Sequence, residues 1–552
     1  MIEIRLGVTK LPGKNDRYFL FTKGENDKLK ELGFYYDPAR EGFRRPFDTE
    51  VIEELNKHPL KYQIAESVLE QYKYEKEKIK PYPYFHESDL RVKLLPFQEE
   101  GRDFILKTGS CIIADQMGLG KTPMAIAAAE KWGAKCLVVS RSALLQQWGS
   151  EIEKFTNSNY EIIEGPVKKR EKAWDSAIRT PTHYAIVSYD MLRSKNDRDA
   201  AQKYISSNGI CIYDEITMIK NKKTSRARAI RSLKPYHIIG LTGTPYENHL
   251  DEYYQIFSLV KPGLLPPFEV YKDMFTIRSS QVINTKSGRS FILERIEKEI
   301  NLDVLKKMVA PAMIRRERKD VLSLPPSEPV VHKVEMSRLQ REIEVMLIRG
   351  AKKHEELKLP FFTFGLENTI SPALIRSNQI TDYIDLLPLI EKLDEIEAGS
   401  ENLKLTPRIE EIGSIMDEAE NLKIAIYSRY TRALALVDDL ILKPRNIDAA
   451  YFTGSLKELD KFNDENGRIL LMSGAGAYGL NIQHSCHIMI LVDKPFNPAV
   501  LEQVKGRIDR IGQTHAMQYH EFNTNSIIEQ KAYDIINRKG NTSEVLLAKD
   551  VM

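Results

Sequence analysis

Several short stretches of this 552-residue chain carry side chains able to do chemistry, and the first is the loop at residues 114–122, Ala-Asp-Gln-Met-Gly-Leu-Gly-Lys-Thr. Gly118 and Gly120 free backbone N–H groups to close around phosphate oxygens. Lys121 adds a mobile positive charge, and the Thr122 hydroxyl suits Mg²⁺. Asp115, Gln116, Met117 and Leu119 complete the candidate nucleotide loop, with Asp115 standing where the strict G-x-x-x-x-G-K-[ST] pattern places Gly. Further on, Cys211-Ile-Tyr-Asp-Glu-Ile216 ends an apolar run with two carboxylates. Asp214 is suited to hold Mg²⁺, and Glu215 to orient and deprotonate an attacking water. Thr242 and Thr244 in Ile239-Gly-Leu-Thr-Gly-Thr-Pro245 are short hydroxyls on a tight turn, suited to sensing a γ-phosphate. Late in the chain, Arg507 and Arg510 fall on one face if residues 503–513 are helical. Guanidinium groups there could stabilise the negative charge that builds up during phosphoryl transfer. Taken singly, each stretch also has a plain reading as a turn or a solvated face.

The elements around these residues explain why they would meet. Cys111, Ile112 and Ile113 read as a buried strand entering the loop, and Pro123-Met-Ala-Ile-Ala-Ala-Ala-Glu130 reads as the helix leaving it. Strands are expected at 111–114, 136–140, 184–188, 210–213 and 237–241, alternating with helices. That alternation predicts a doubly wound parallel sheet over residues 90–262, and such sheets gather ligands at their strand carboxyl ends. Residues 263–421 are expected to be a mainly helical insertion, with Met336, Leu339, Ile343 and Leu347 on one apolar face. A second α/β lobe is expected over 422–526, with strands at 423–427, 449–452, 469–472 and 488–492. A C-terminal helix within 527–552 would brace the lobes. Residues 1–75 read as a separate small α+β domain, followed by a Lys/Glu- and Pro-rich linker at 76–89. Within it, 17–22 reads as a strand, 27–32 as a short helix, and Asp48 as the cap of a helix through Ile52 and Leu55. Its aromatics, interleaved with Arg40, Arg44 and Arg45, could form a nucleic-acid platform or simply a small core with solvated arginines.

Composition narrows the classes. Charged residues make up 29% of the chain but the net charge is only +3, so any nucleic-acid surface must be a local basic stripe. The densest run bears Lys220, Lys222, Lys223, Arg226, Arg228 and Arg231; Arg315, Arg316, Arg318 and Lys319 form a second. Cys111, Cys136, Cys211 and Cys486 are far apart and mostly inside apolar runs, which favours core thiols in a reducing compartment over zinc ligands or disulfides. The first residues lack the build of a signal peptide, and no run reaches membrane-spanning length. The chain is therefore expected to be soluble and cytoplasmic, in a prokaryotic or viral context, or nuclear in a eukaryote.

Together these stretches resemble, in order, the SNF-type branch of superfamily-two helicases and DNA translocases. The matching elements are Leu95-Pro-Phe-Gln98, the Gly-Leu-Gly-Lys-Thr loop, Leu137-Val-Val-Ser with Leu144-Leu-Gln-Gln-Trp148, and Ile186-Val-Ser-Tyr-Asp-Met-Leu192. Asp214-Glu215, Ile219-Lys-Asn221, Leu241-Thr-Gly-Thr-Pro245, the run from Arg315 to Pro326, Ala475-Gly-Ala-Tyr-Gly-Leu-Asn481 and Gly506-Arg…Arg510-Ile-Gly-Gln513 follow. The resemblance implies an α/β fold of two RecA-like lobes and an ATP- and Mg²⁺-dependent ATPase acting on double-stranded or branched DNA as a monomer. By position, Gln98 would contact adenine and Gly479 would shape a loop coupling nucleotide to DNA. The N-terminal unit resembles the HARP-like modules of annealing helicases, which implies branch migration or strand annealing in replication, recombination or repair. A chromatin-type remodelling ATPase and an ATP-dependent DNA clamp or recruitment subunit with little turnover are the alternatives. The chain departs from the family in Thr217, where His is usual after Asp-Glu-Ala, in Gln116 for Glu, and in Gly474 for a basic residue.

Overall fold

A computed structural model describes residues 2–9, 17–24, 29–30, 32–37, 41–46, 49–57, 62–70, 72, 90–206, 208–246, 249–284, 290–323, 325–353, 358–375, 386–399, 404–474, 480–495 and 497–534. The expected linker at 76–89, Arg40, Asp48 and Gly479 lie outside them, as does half of the expected helix at 27–32. The chain divides into two compact units, one ending at Glu317 and the other beginning at Arg318. That division falls inside the stretch expected to be a helical insertion.

In the first unit, β1 (Ile2–Thr9), β2 (Arg17–Thr22), β3 (Tyr35–Asp37), β4 (Gly42–Pro46) and β5 (Tyr62–Ile64) form a sheet in the order β3-β4-β2-β1-β5. Its core is its own: Ile4, Leu20, Phe34, Ile52, Leu55 and Tyr62 pack together. Arg44 is partly and Arg45 wholly withdrawn from solvent. Arg44 lies over the rings of Phe19 and Tyr35, and Arg45 is buried and donates to the Leu32 carbonyl.

The larger sheet uses β6 (Cys111–Ile113), β7 (Cys136–Ser140), β8 (Tyr160–Ile163), β9 (Tyr184–Ser188), β10 (Ile210–Asp214) and β11 (His237–Leu241). Two further pieces follow: a hairpin of β12 (Thr276–Asn284) and β13 (Ser290–Glu299), and the short β14 (Met313–Ile314). Order β14-β6-β11-β10-β7-β9-β8 is parallel throughout. The all-apolar runs of β6, β7 and β9 follow from that arrangement, because helices cover both faces of a parallel sheet and leave no solvent side. The helix Lys121–Trp132 starts at Gly120 and stops at Gly133, both left-handed (φ 73° and 62°), where a Cβ would be strained. All five strands expected in this lobe form; β8 and β14 were not foreseen.

The second unit opens with β15 (Ser327–Val334), which pairs along its whole length with β20 (Met517–Thr524). With β16 (Ile424–Tyr427), β17 (Ala449–Phe452), β18 (Ile469–Met472) and β19 (Ile488–Leu491) it makes a parallel sheet ordered β15-β20-β19-β16-β18-β17. Among its described residues the segment 263–421 has more helix than strand, but it is not helical throughout. It contributes the β12–β13 hairpin, an edge strand to the first sheet and an edge strand to the second. Short, charged strands such as Ser-Glu-Pro-Val-Val-His-Lys-Val have little apolar run to betray them, since their partners supply the pairing. Helices Arg338–Lys353, Lys358–Ile370 and Leu387–Ala398 pack through Ile343, Leu347, Phe361, Phe364, Leu389 and Leu393. Residues 527–534 are helical and dock within this unit, with Ile528 and Ala532 against Leu366 and a buried Arg408–Glu529 ion pair at 2.7 Å.

Candidate active site

Register decides which side chains of the first sheet can meet. Ile113 pairs with Leu241, Leu241 with Asp214, and Val139 with Tyr213. The residues just past these positions therefore emerge at one carboxyl edge: the 114–122 loop, Thr242, Asp214-Glu215 and Ser140. Gly118 and Gly120 both take positive φ (83° and 73°), which turns successive N–H groups the same way. A Cβ on Gly120 would come within 2.4 Å of Gln98 Nε2, so the loop closes directly on that side chain. Gln98 bridges by its Oε1 accepting from the Leu95 N–H (3.0 Å) and its Nε2 donating to the Leu119 carbonyl (3.1 Å).

Lys121 Nζ donates to the Asp115 carbonyl at 2.8 Å and to the Gln116 carbonyl at 3.4 Å. Burial pushes its pKa down to about 8, against the pull of Asp115, Glu215 and Asp214, which favour the charged form. The Asp115 carboxylate does not face the loop's interior. It is fully buried, receives the Arg316 backbone N–H (2.9 Å) and Nε (3.2 Å), and pairs with Arg316 Nη2 at 2.6 Å. The side chain at the position where the strict pattern has Gly therefore anchors the loop from behind.

Asp214 uses one oxygen for the protein. Its Oδ2 accepts from Ser140 Oγ (2.7 Å) and Trp148 Nε1 (2.9 Å), and its carbonyl accepts from Tyr189 Oη (2.9 Å). Oδ1 has no hydrogen bond among the described residues, and Thr122 lies at the start of the helix that leaves the loop. A carboxylate with one oxygen fixed and one available, together with a loop hydroxyl, is a donor set that fits Mg²⁺. Glu215 sits in the left-handed region (φ 52°) with a buried carboxylate whose Oε1 accepts from Thr217 Oγ1 (3.0 Å) and Thr242 Oγ1 (2.7 Å). Thr242 was expected to sense phosphate; here its hydroxyl is committed to Glu215. The buried Thr244 hydroxyl has no partner among the described residues, which leaves it fit for a phosphate oxygen. The residues present fit a magnesium–triphosphate group.

In the second unit the helix expected to carry both arginines, Pro498–Lys505, ends before either. Past it, Arg507 and Ile508 bond back three residues, to Val504 and Lys505, so the chain tightens into turns at Gly506. The arginines still converge: Arg507 Nη1 and Arg510 Nη1 both donate to the Leu480 carbonyl, at 3.2 and 3.3 Å. Arg507 Nε donates to Gln503 O, and Arg510 also to Asn481 Oδ1.

Comparison with known proteins gives the family. Residues 53–358, more than half the chain, match the SNF2-related domain, and residues 407–512 match the helicase conserved C-terminal domain. The chain belongs to the SNF2-related family. Its domains are those of helicase-like ATP hydrolases. The chain is 27% identical over 484 residues to Bacillus subtilis YwqA, a protein named as a proposed ATP-dependent helicase/translocase, covering 83% of this chain and 49% of YwqA. It is 27% identical over 520 residues to the Gallus gallus DNA repair and recombination protein RAD54-like (85% of this chain, 69% of that one). With the Arabidopsis thaliana CHD3-type chromatin-remodeling factor CHR7 the figures are 24% over 473 residues, 80% and 36%. The chain thus spans about half of YwqA and about a third of CHR7. The Sulfolobus solfataricus SWI2/SNF2 ATPase core solved with duplex DNA aligns over 84% of this chain and 99% of its own, at 20% identity and a TM-score of 0.37.

The basic run of this SNF2-related chain is not the uniform stripe its composition suggested. Lys220 pairs with Glu252 at 3.2 Å, Arg226 with Asp190 at 2.8 Å, and Lys222 lies over the Phe268 ring. Arg231 turns inward to the Gln255 carbonyl and Ser258, and burial lowers its pKa. Lys222, Lys223 and Arg228 remain exposed. The second cluster, Arg315, Arg316 and Arg318, is also turned into the protein. Arg315 donates to the carbonyls of Ala114 and Gly243, and Arg316 is only 5% exposed. Composition could not reveal this, because an arginine fork beside buried carbonyls and a carboxylate gains more from those bonds than from water. Ser140 and Trp148 belong to stretches that resemble family elements, but nothing in the sequence reveals their hold on Asp214. Among the described residues, no helix is long and apolar enough to cross a membrane.

Proposed function

We propose that the chain is a DNA-dependent ATPase that translocates on duplex or branched DNA. The observation that carries this reading is the single carboxyl edge at which the Lys121 loop, Asp214 and the Glu215–Thr242 pair emerge together. In it, Gly118, Gly120, Lys121 and Thr122 hold the triphosphate, with Gln116, Met117 and Leu119 shaping the loop and Gln98 placed beside it for the adenine. Thr122 and Asp214 hold Mg²⁺, which when bound neutralises phosphate charge. Glu215 takes the proton of the attacking water, a role that needs its carboxylate oriented, and the two threonine hydroxyls supply that orientation. Arg507 and Arg510 stabilise charge on the γ-phosphate when the two lobes close, Gly479 shapes the coupling loop, and cycles of closure and release advance the DNA. Lys222, Lys223 and Arg228 are the exposed groups of the basic run available to a phosphate backbone.

Branch migration or strand annealing in recombination or repair is the setting that the N-terminal unit supports, and the repair and recombination name of a RAD54-like relative points the same way. A chromatin-type remodelling role has support in the name of the CHR7 relative. The deciding experiment measures phosphate release with single-stranded, duplex, forked and four-way DNA. Stimulation that is strongest on forked or four-way DNA is expected. Equal stimulation by plain duplex removes the branched-DNA reading, and ATP-dependent DNA retention with negligible stimulated turnover would make the chain a clamp.

A further inference from the structure

Four consecutive residues, Arg315-Arg316-Glu317-Arg318, join the first unit to the second, and they are fastened at both ends. At the near end β14 pairs with β6, and its extension brackets the phosphate loop. Ala114 N–H donates to the Ile314 carbonyl (2.8 Å), Gln116 N–H to the Arg316 carbonyl (2.9 Å), and Arg315 Nη1 to the Ala114 carbonyl (2.9 Å). The buried Arg316–Asp115 pair at 2.6 Å completes this anchor. At the far end Arg318, itself 8% exposed, donates Nη1 to the Asp509 carbonyl (2.7 Å) and pairs its Nη2 with the Asp509 carboxylate (2.8 Å). Asp509 stands between Arg507 and Arg510. One short peptide therefore grips the backbone of the nucleotide loop with one guanidinium and the backbone of the arginine turn with another.

We propose that residues 315–318 act as a taut strap, with Arg316 and Arg318 as positioning residues that transmit the state of the phosphate loop to the turn carrying Arg507 and Arg510. The inference rests on the ATPase reading given above. Its physical basis is length. Neither anchor has slack, because Glu317 alone separates the two arginines and peptide geometry fixes the reach of each residue. A displacement of the loop when phosphate enters pulls on Arg316, and the strap carries it to Asp509 rather than absorbing it. Buried, multiply bonded ion pairs suit such a device better than surface pairs, since they do not slip into solvent.

The test inserts two glycines between Glu317 and Arg318 in the full chain, adding about 7 Å of slack while leaving every anchoring side chain in place. Affinity for a fluorescent ATP analogue is expected to stay within about twofold, and DNA-stimulated kcat to fall about 10²-fold, the loss that a misplaced catalytic group brings. Retained analogue binding shows that the first lobe is folded. If binding is lost, Arg318→Lys is the second variant; its shorter grip on Asp509 should lower kcat without changing KM for ATP. Wild-type kcat in the insertion variant, or in Arg318→Lys where that is used, overturns the strap. Lys121→Ala run alongside separates the two failures. An active Lys121→Ala protein defeats the ATPase site itself, whereas an inactive one beside a fully active strap variant defeats only the strap.

Discussion

The carboxyl edge of the first sheet and the arginine turn of the second unit hold their charged groups by different means. Asp214 and Glu215 are fixed by side chains reaching from neighbouring strands and helices: Ser140, Trp148, Thr217 and Thr242. Arg507 and Arg510 share a single main-chain carbonyl, that of Leu480, and stand beyond the end of their helix. The first arrangement is preorganised by strand register and costs nothing to assemble when substrate arrives. The second is held by loop backbone, so its precision depends on whatever steadies the loop, which is the position Arg318 occupies through Asp509.

The largest expected effects separate the two regions by what they leave behind. Lys121→Ala should lose both nucleotide binding and turnover, and Glu215→Gln should keep binding while turnover falls about 10³- to 10⁴-fold. Phosphate release and analogue binding measured on the same protein check both, and substantial residual turnover in either removes the assigned role. Arg507→Ala and Arg510→Ala should each keep analogue affinity within about twofold and lower DNA-stimulated kcat about 10³-fold. If either substitution weakens binding as much as Lys121→Ala does, the contrast between a binding edge and a catalytic turn is wrong.

What could be read from residues alone follows the same divide. Buried parallel strands announce themselves as short apolar runs, so β6, β7, β9, β10 and β11 and their loops were legible, and with them the meeting of Lys121, Asp214, Glu215 and Thr242. Edge strands β14 and β15 were not, because pairing with β6 and β20 stabilises them rather than their own pattern. Charge was legible as composition and illegible as direction. Arg316 and Arg231 look like solvent-facing or DNA-facing cations in the sequence, yet each is turned inward by a carboxylate or carbonyl far away in the chain. Asp115 looked like a departure from a glycine pattern, and the reason for it lies two hundred positions onward in Arg316.

Smaller effects sharpen the picture of the first edge. Thr217 stands where the family usually has His, and its hydroxyl shares the Glu215 carboxylate oxygen with Thr242. Thr217→Val keeps the shape and removes the donor. It should lower kcat about tenfold, in keeping with about 1.5 kcal/mol for a hydrogen bond to a charged group, with KM for ATP unchanged. Thr217→Ser should restore the rate; equal rates for the Val and Ser variants would show that Glu215 needs no such partner. Lys121 offers a pH test of similar size. With its pKa near 8 in the protein and raised again beside a triphosphate, it is charged both before and after binding below pH 8. Above that, binding must take up a proton, so affinity should fall by up to about tenfold per pH unit. A flat affinity between pH 8 and 9.5 would show that the ammonium does not meet the phosphates.

The smallest effect on hydrolysis is expected from the part with its own core. The N-terminal sheet buries Ile4, Leu20, Ile52 and Tyr62 among themselves, and the strands that carry Lys121, Asp214 and Thr242 belong to a different sheet. Deleting residues 1–75 should therefore leave duplex-stimulated ATPase activity within about twofold, since no catalytic group or strand of the larger sheet is removed. What should change is selectivity. Tyr36, 52% exposed and edge-on to Phe43, offers an aromatic face suited to an unpaired base, and such stacking is worth about 1–3 kcal/mol per base. Loss of that contact should reduce the preference for forked over plain duplex DNA by about tenfold, read as the ratio of half-maximal DNA concentrations for ATPase stimulation. Tyr36→Ala in the full chain should reproduce most of that loss while keeping the domain folded. A deletion that leaves the fork-to-duplex ratio where it was would mean the small domain does not read DNA structure, and the branched-DNA setting would lose its main support.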